Sequence, residues 1–263
     1  MRRLDIIEVD WSKHTEGVEL LPLSDVHWED GHADQTELER WIDWIRGADN
    51  RYFYIGGDLF NVATRTSVSG IFGNRVTLQD GIDEAAAFIS PIADRCIGAV
   101  TGNHERRIHK HSGMDPLREF CRRFDIIHDA DALYFKLKVG KGKRGKGRSH
   151  AQRPNIYTAF CIHGAGGGRM WGGKVNRMAS MATMVQADIY FMSHTHSKVA
   201  FKESFGVPDL RTNRVNMVEQ TFVNTSALLN WGGYPIRGMY KASAMGSPSV
   251  RLGGYERTVQ VTL

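Results

Sequence analysis

The first hundred residues alternate between short apolar runs and stretches of helical periodicity. The runs lie at residues 18–23, 52–55 and 97–101, and the helical stretches lie at 34–46 and 80–94. Short apolar runs that end in polar turns indicate buried strands, and apolar side chains spaced three and four apart indicate amphipathic helices. The alternation therefore predicts parallel strands joined by crossover helices.

The second half continues this pattern and then changes. A strand-like run at 156–162, an apolar helical stripe at 175–185 and another run at 188–192 come first. From Thr221 onward, β-rich segments alternate with glycine-rich turns, which predicts the closing strands of a second sheet. No internal repeat and no clear linker interrupts the pattern, so we expect an α/β fold in a single domain over residues 1–263.

Composition places the chain among globular proteins. Its 263 residues are 41% hydrophobic, and no stretch reaches the roughly 18 uninterrupted apolar residues expected of a membrane-spanning helix. The N-terminus lacks the apolar segment of a secretory signal, and three scattered cysteines do not make a disulfide framework. These features favour a cytoplasmic protein with reduced cysteines.

One short segment accounts for the net charge of +5. The segment KGKRGKGR at 141–148 contains five basic residues and no acid, and the rest of the chain is balanced at 29 basic and 29 acidic residues. Its glycines predict a flexible loop at about residues 140–150. The loop is either a solvated surface feature or an arm for DNA or RNA phosphates. The basic residues concerned are Lys141, Lys143, Arg144, Lys146 and Arg148.

Unusual polar side chains collect where the predicted strands end. The five clusters are Asp25-Val26-His27, Gly57-Asp58, Gly102-Asn103-His104-Glu105, His163-Gly164 and His194-Thr195-His196. The carboxyl ends of parallel strands are where α/β sheets bind their ligands. Carboxylate, amide and imidazole donors together suit manganese, iron or zinc better than magnesium or calcium alone. The clusters therefore predict a metal site.

The order of these clusters resembles that of the calcineurin-like metallophosphoesterases. That family has DxH, then GD, then GNH followed by Asp or Glu, then His, then GHxH, and the resemblance spans residues 25–196. Ser193 stands where the last motif usually has glycine. The resemblance implies a four-layer α/β/β/α sandwich of two mixed sheets flanked by helices. It also implies a dinuclear metal-dependent phosphoesterase.

The resemblance further implies a role for each matching position. The first metal would be held by Asp25, His27 and His196, the second by Asn103, His163 and His194, with Asp58 bridging the two. We expect manganese, with iron, zinc, nickel and magnesium as alternatives, and in-line attack on phosphorus by a metal-bridging hydroxide. His104 would be the general acid or the stabiliser of the leaving oxygen, and Glu105 would orient it or support the turn.

The substrate is less constrained than the metal ligands. Asp58-Leu59-Phe60 resembles the GDLF segment of the Mre11/SbcD DNA nucleases, although Asn61 stands where those enzymes commonly have histidine. Serine/threonine protein phosphatases usually have Asp-Arg-Gly shortly after this Gly-Asp, and this chain lacks it, which argues against a protein phosphatase. We expect a phosphodiesterase, including nuclease activity, with substrate contacts from Asn61, Arg106 and Arg169. The alternatives are a small-nucleotide phosphodiesterase, a phosphomonoesterase, and a catalytically weak interaction scaffold.

Overall fold

Two six-stranded mixed sheets form the body of the protein in a computed structural model. The structure describes residues 3–65, 67, 71–143, 152–166, 168, 170–232, 236, 241–242 and 244–263. One sheet has the strand order β1-β6-β7-β8-β10-β9, from Ile6–Trp11, Leu133–Val139, Asn155–Cys161, Ile189–Met192, Arg214–Asn224 and Val199–Asp209. The other has the order β12-β11-β2-β3-β4-β5, from Val259–Thr262, Ser249–Leu252, Val18–Leu23, Arg51–Ile55, Cys96–Val100 and His128–Asp129.

Five α-helices are described beside these sheets. They are α1 (Gln35–Arg46), α2 (Leu78–Ile89), α3 (Glu105–Ser112), α4 (Pro116–Arg122) and α5 (Trp171–Ser180). Helix α1 begins where the side chain of Asp34 accepts a hydrogen bond from the backbone N–H of Glu37. Strands β2, β3 and β4 are parallel and joined by helical crossovers, as the alternating pattern predicts.

Three apolar clusters separate the layers. Because side chains alternate along a strand, Leu21 and Phe53 pack with helices α1, α2 and α4, while Leu20 and Tyr54 face the other sheet. Helix α5 contributes Met178 to a third cluster, which lies on the outer face of the sheet that contains β8 and β10. The order helix, sheet, sheet, helix confirms the four-layer α/β/β/α sandwich.

Some element boundaries differ from the sequence predictions. The helix predicted at 80–94 begins at Leu78 and ends at Ile89, where a 3₁₀ segment, Ser90–Arg95, takes over, because Pro91 lacks the N–H that a continuing helix needs. The strands after Thr221 do not form one sheet. Strand β10 pairs with β8, whereas β11 pairs with β2, so the C-terminal part closes both sheets.

The predicted basic loop lies largely beyond the described residues, since 144–151 fall in a gap. At its edge, Lys141 is exposed and Lys143 forms an ion pair with Glu256. In the part of the chain that is described, no helix combines the length and the apolar character that crossing a membrane requires.

Candidate metal centre

The polar clusters meet at one edge of the sandwich because both sheets end there. Asp25, Asp58 and Asn103 follow the parallel strands β2, β3 and β4, and His163 and His194 follow the parallel strands β7 and β8 of the other sheet. The backbone N–H of residue 25 donates to the carbonyl of Gly57, and the N–H of Ser193 donates to the carbonyl of residue 163, both at 3.0 Å. Neighbouring loops are thus bonded to each other.

Two motif glycines permit this close approach. A Cβ added to Gly57, whose φ is +90°, would lie 2.6 Å from Nδ1 of His163. A Cβ added to Gly102 would lie 2.1 Å from Oδ1 of Asp58. Both distances are far inside van der Waals contact, so only glycine fits at either position.

Asp25, His27 and His196 form one candidate cation site. Each offers a ligand atom within 4.8 Å of the others. Asp25 is fully buried, and its Oδ2 accepts a hydrogen bond of 2.8 Å from the hydroxyl of Ser24. Its Oδ1 lies 3.1 Å from Nε2 of His196 yet receives no hydrogen bond. Two ligand atoms about 2.1 Å from one ion, at a right angle, are roughly 3 Å apart, so this spacing suits a shared cation.

Asp58, His163 and His194 form the second candidate site, again with ligand atoms within 4.8 Å of one another. Nε2 of His163 lies 3.2 Å from Oδ2 of Asp58 and 3.0 Å from Oδ1 of Asn103. Nδ1 of the same ring donates to the carbonyl of Gly56 at 2.8 Å. Because that hydrogen bond keeps a proton on Nδ1, Nε2 is the nitrogen available to a metal.

Asp58 lies between the two sites. Beyond its contact with His163, it groups with His27 and His104, whose ligand atoms are also within 4.8 Å of its carboxylate and of each other. The structure therefore brings all seven predicted ligands together, with Asp58 in the position of a bridge.

Unsatisfied atoms and an unusual backbone indicate that these residues are arranged to bind a cation. His27 is 2% exposed, and neither of its ring nitrogens has a hydrogen-bond partner. A buried polar group without a partner costs about 1–3 kcal/mol. Five of the eight described non-glycine residues with positive φ are predicted ligands, and a cost of the order of 1 kcal/mol or more applies to each. These ligands are Asp25, His27, Asp58, His194 and His196. The donor set fits one or two transition-metal cations.

Charges inside the site shift the titration of its members. Burial alone would lower the pKa of His163, but the Asp58 carboxylate outweighs burial and raises that pKa to about 10. Burial alone would raise the pKa of Asp25, yet His196 and neighbouring groups outweigh it and bring the pKa to about 2. Without metal, the centre therefore contains ionised carboxylates and a protonated His163.

Metal binding is expected to release a proton from His163. A ligand nitrogen must be unprotonated, and a metal-free pKa of about 10 means that the ring carries a proton throughout the neutral range. The apparent metal affinity should therefore rise by about tenfold per pH unit between pH 6 and 9 if one proton is displaced. Calorimetric titration in two buffers of different ionisation enthalpy measures the proton count, and a count of zero would contradict the expectation.

His104 is held beside the bridge by the loop after β3. Nδ1 of His104 donates to the backbone carbonyl of Asn61 at 2.7 Å, and Nε2 lies 3.8 Å from Oδ2 of Asp58. The rings of His27 and His104 are 4.3 Å apart. Asn61 is 2% exposed, and its side-chain amide donates to Oδ1 of Asn74 at 2.9 Å. Asn61 is thus placed to orient His104.

Two buried glutamates fix the loop that carries Asp58. Glu105 accepts hydrogen bonds from the backbone N–H groups of Asp58, Phe60 and Gly102 at 3.0–3.1 Å. All of these bonds go to the turns and none to His104. Burial and the charge of Asp58 raise the pKa of Glu105 to about 8.

Glu29 was not expected from the sequence, although it follows the DxH motif by two positions. It is fully buried and accepts from the N–H of Asn61 at 2.7 Å and from that of Val62 at 3.3 Å. An acidic residue buried this close to a metal motif needs either a ligand role or backbone donors, and Glu29 has the donors. It completes the clamp on the loop after β3.

The predicted substrate-contacting arginines have different surroundings. The guanidinium of Arg106 donates to the carbonyl of Ala130 and pairs with Asp131 at 3.0 Å, and it contacts none of the predicted metal ligands among the described hydrogen bonds and ion pairs. Arg169 lies outside the described residues. Arg107, by contrast, reaches His104, with Nη2 2.8 Å from its Nε2.

Lys174 supports the last ligand loop. Its ammonium donates to the carbonyl of Thr195 at 2.9 Å and to the hydroxyl of Ser197. Burial lowers its pKa. Because Thr195 lies between His194 and His196, this contact from α5 supports the segment that carries both candidate ligands.

Solved structures resemble this chain at low sequence identity. A predicted phosphoesterase of Streptococcus pneumoniae is 11% identical and covers 93% of this chain and 97% of its own, with a TM-score of 0.35. Vps29 of Entamoeba histolytica, complexed with Zn²⁺, is 12% identical over 93% and 97%, with a TM-score of 0.40. A serine/threonine phosphatase of Saccharomyces cerevisiae, similar to human phosphatase PP5, is 11% identical over 98% and 82%, with a TM-score of 0.39.

Sequence comparisons add no further relative, since no protein-family profile and no curated protein matches the chain. What the site can do therefore follows from its own side chains.

Proposed function

We propose that the protein is a two-metal phosphodiesterase. The position of Asp58 carries this proposal, because its carboxylate lies within 4.8 Å of a ring nitrogen of His27 in the first candidate site and of His163 and His194 in the second. Two divalent cations about 4 Å apart repel one another, and a common anion offsets that repulsion. A single structural cation would need only one of the two groups.

The side chains around the bridge suit the hydrolysis of a phosphate ester. When bound, two divalent ions would lower the pKa of a shared water and neutralise charge on the phosphate. His104 faces Asp58 without being one of the seven ligands, and the Asn61 carbonyl fixes its ring through Nδ1. Its Nε2 is thereby directed at the site, where it can hold a proton for the leaving oxygen.

The finer proposals concern substrate and metal. The GDLF segment and the concentrated basic charge at 141–148 support a nuclease that attracts DNA or RNA. The metal proposed is manganese, because the donor set combines carboxylate and amide oxygens with imidazole nitrogens. A cytoplasmic location is part of the same proposal. A small-nucleotide phosphodiesterase or a phosphomonoesterase would use the same centre, and a catalytically weak scaffold would keep only the fold.

Hydrolysis of bis-para-nitrophenyl phosphate, a diester, is expected to exceed that of para-nitrophenyl phosphate when manganese is added. We expect this order because the proposed site binds a phosphate that carries two ester groups and activates a water to attack its phosphorus. Initial rates of nitrophenolate release measure both reactions. The Asp58→Ala variant, purified in the same way, reports contaminating hydrolases.

The result separates the proposed functions. Faster monoester cleavage that vanishes in the variant would favour the phosphomonoesterase. No turnover of either ester, together with no gain in melting temperature on adding manganese, would favour the scaffold and contradict the two-metal centre.

A further inference from the structure

Arg107 occupies an unusual position for a cationic side chain. Its guanidinium is half-buried beside the candidate metal centre, and Nη2 donates to Nε2 of His104 at 2.8 Å. Nη1 lies 3.4 Å from the carbonyl of Asn61 and 3.4 Å from the hydroxyl of Ser67, which are weak contacts. The strongest partner of the guanidinium is thus a neutral ring nitrogen.

No carboxylate in the described part of the chain forms an ion pair with Arg107. The neighbouring Arg106 has such a partner in Asp131, which shows that acidic side chains are available around α3. A half-buried guanidinium without a counter-ion is costly unless an anion joins it. Its planar fork of donors matches the oxygens of a phosphate.

The hydrogen bonds of His104 leave neither of its ring nitrogens free. Nδ1 donates to the carbonyl of Asn61, and Nε2 accepts from Arg107, so both nitrogens are engaged. While Arg107 remains there, Nε2 is blocked from a substrate oxygen. A group that withdrew the guanidinium would therefore also free His104.

We propose that the substrate phosphate is that group, and that Arg107 moves from Nε2 of His104 to a non-bridging phosphate oxygen when substrate binds. This inference rests on the proposed function, because it takes the ligand to be a phosphate ester at the same centre. Arg107 then has two effects: it binds the phosphate, and its departure makes His104 available only when substrate is present.

Calorimetric titration of the metal-loaded protein with inorganic phosphate tests the contact without turnover. Arg107→Gln is expected to weaken phosphate binding by about 10- to 100-fold, the value of a charge-assisted hydrogen bond. Arg107→Lys should retain part of the affinity, because it keeps the charge and loses the fork. Arg122→Gln, at an exposed position of helix α4, is the matched control and should leave affinity unchanged.

The same titration in the His104→Ala variant separates the binding of phosphate by Arg107 from the positioning of His104 by Arg107. In His104→Ala, the resting partner of Arg107 is gone, so a purely positioning arginine would have no further effect. Arg107→Gln should still weaken phosphate binding there by a similar factor. An unchanged affinity in that background would overturn the proposal, and so would an equal loss in Arg106→Gln or a wild-type protein that binds no phosphate at millimolar concentration.

The outcomes also distinguish this inference from the proposed function. Phosphate binding that depends on Arg107, in a protein that hydrolyses no ester, would support the contact and contradict the phosphodiesterase. Manganese-dependent diester hydrolysis that is unaffected by Arg107→Gln would support the enzyme and overturn the role of Arg107.

Discussion

Replacement of Asp58 with asparagine is expected to lower diester turnover by about a thousandfold or more, and to remove the rise in melting temperature that manganese gives the wild type. The carboxylate is 1% exposed and lies between the two candidate sites, so its charge would act at short range on a cation in either of them. Asparagine preserves the shape and the hydrogen bond that Oδ1 accepts from the N–H of His104. What it removes is the shared anion.

Metal content and melting temperature, measured with the initial rates, identify the cause of the loss. Asp125→Asn is the matched control. It replaces the same carboxylate with the same amide, at an exposed residue whose φ is also positive, at 54°. It should behave as wild type. An Asp58→Asn variant that binds two equivalents of metal and turns over normally would contradict the bridging role.

Replacement of Glu105 with alanine is expected to lower the free energy of unfolding by about 3–5 kcal/mol. The side chain is fully buried and accepts three backbone hydrogen bonds, from Asp58, Phe60 and Gly102. Each N–H left without a partner costs about 1–3 kcal/mol, less whatever the loop regains by opening to water. Urea unfolding of the metal-free protein measures the change without a contribution from bound metal.

Two variants sharpen this test. Glu119→Ala, at an exposed position of helix α4, removes a carboxylate that is 50% exposed and should change stability by less than about 0.5 kcal/mol. The free energy of unfolding of Glu105→Gln should lie between those of Glu105→Ala and the wild type. The amide oxygen can take the place of Oε2 and accept from the N–H groups of Asp58 and Gly102, but the NH₂ group then faces the N–H of Phe60, which is also a donor. Equal stability of Glu105→Ala and Glu119→Ala would show that the loop finds other partners.

That the candidate metal ligands lie close together could be predicted from the sequence, because their placement depends on short-range patterns. An apolar run followed by Asp25 or by Asp58 marks a strand and its end, and parallel strands place their ends together. The fold class follows from the same alternation. Neither inference requires knowledge of which side chains touch.

The contacts that support the candidate ligands depend on the direction in which each side chain leaves its helix or loop, and the sequence pattern does not specify that direction. Arg106 and Arg107 are adjacent and identical in type, and only the start of α3 at Glu105 decides between them. Once that helix is known, Arg107 lies three positions after His104 on the same face, whereas Arg106 points elsewhere. The helix was missed because its apolar content is low, with Glu105 its one buried residue.

Both sheets contribute side chains to the candidate centre, so a bound metal would connect segments that are far apart in the sequence. Asp25 and His196 belong to the same candidate cation site and are 171 positions apart, yet Oδ1 of Asp25 lies 3.1 Å from Nε2 of His196. A cation held by residues from both sheets closes a loop of that length, as a disulfide would. Bound metal would thus act as a removable cross-link between the halves of the sandwich, made by histidines and carboxylates in a chain whose described cysteines are all free.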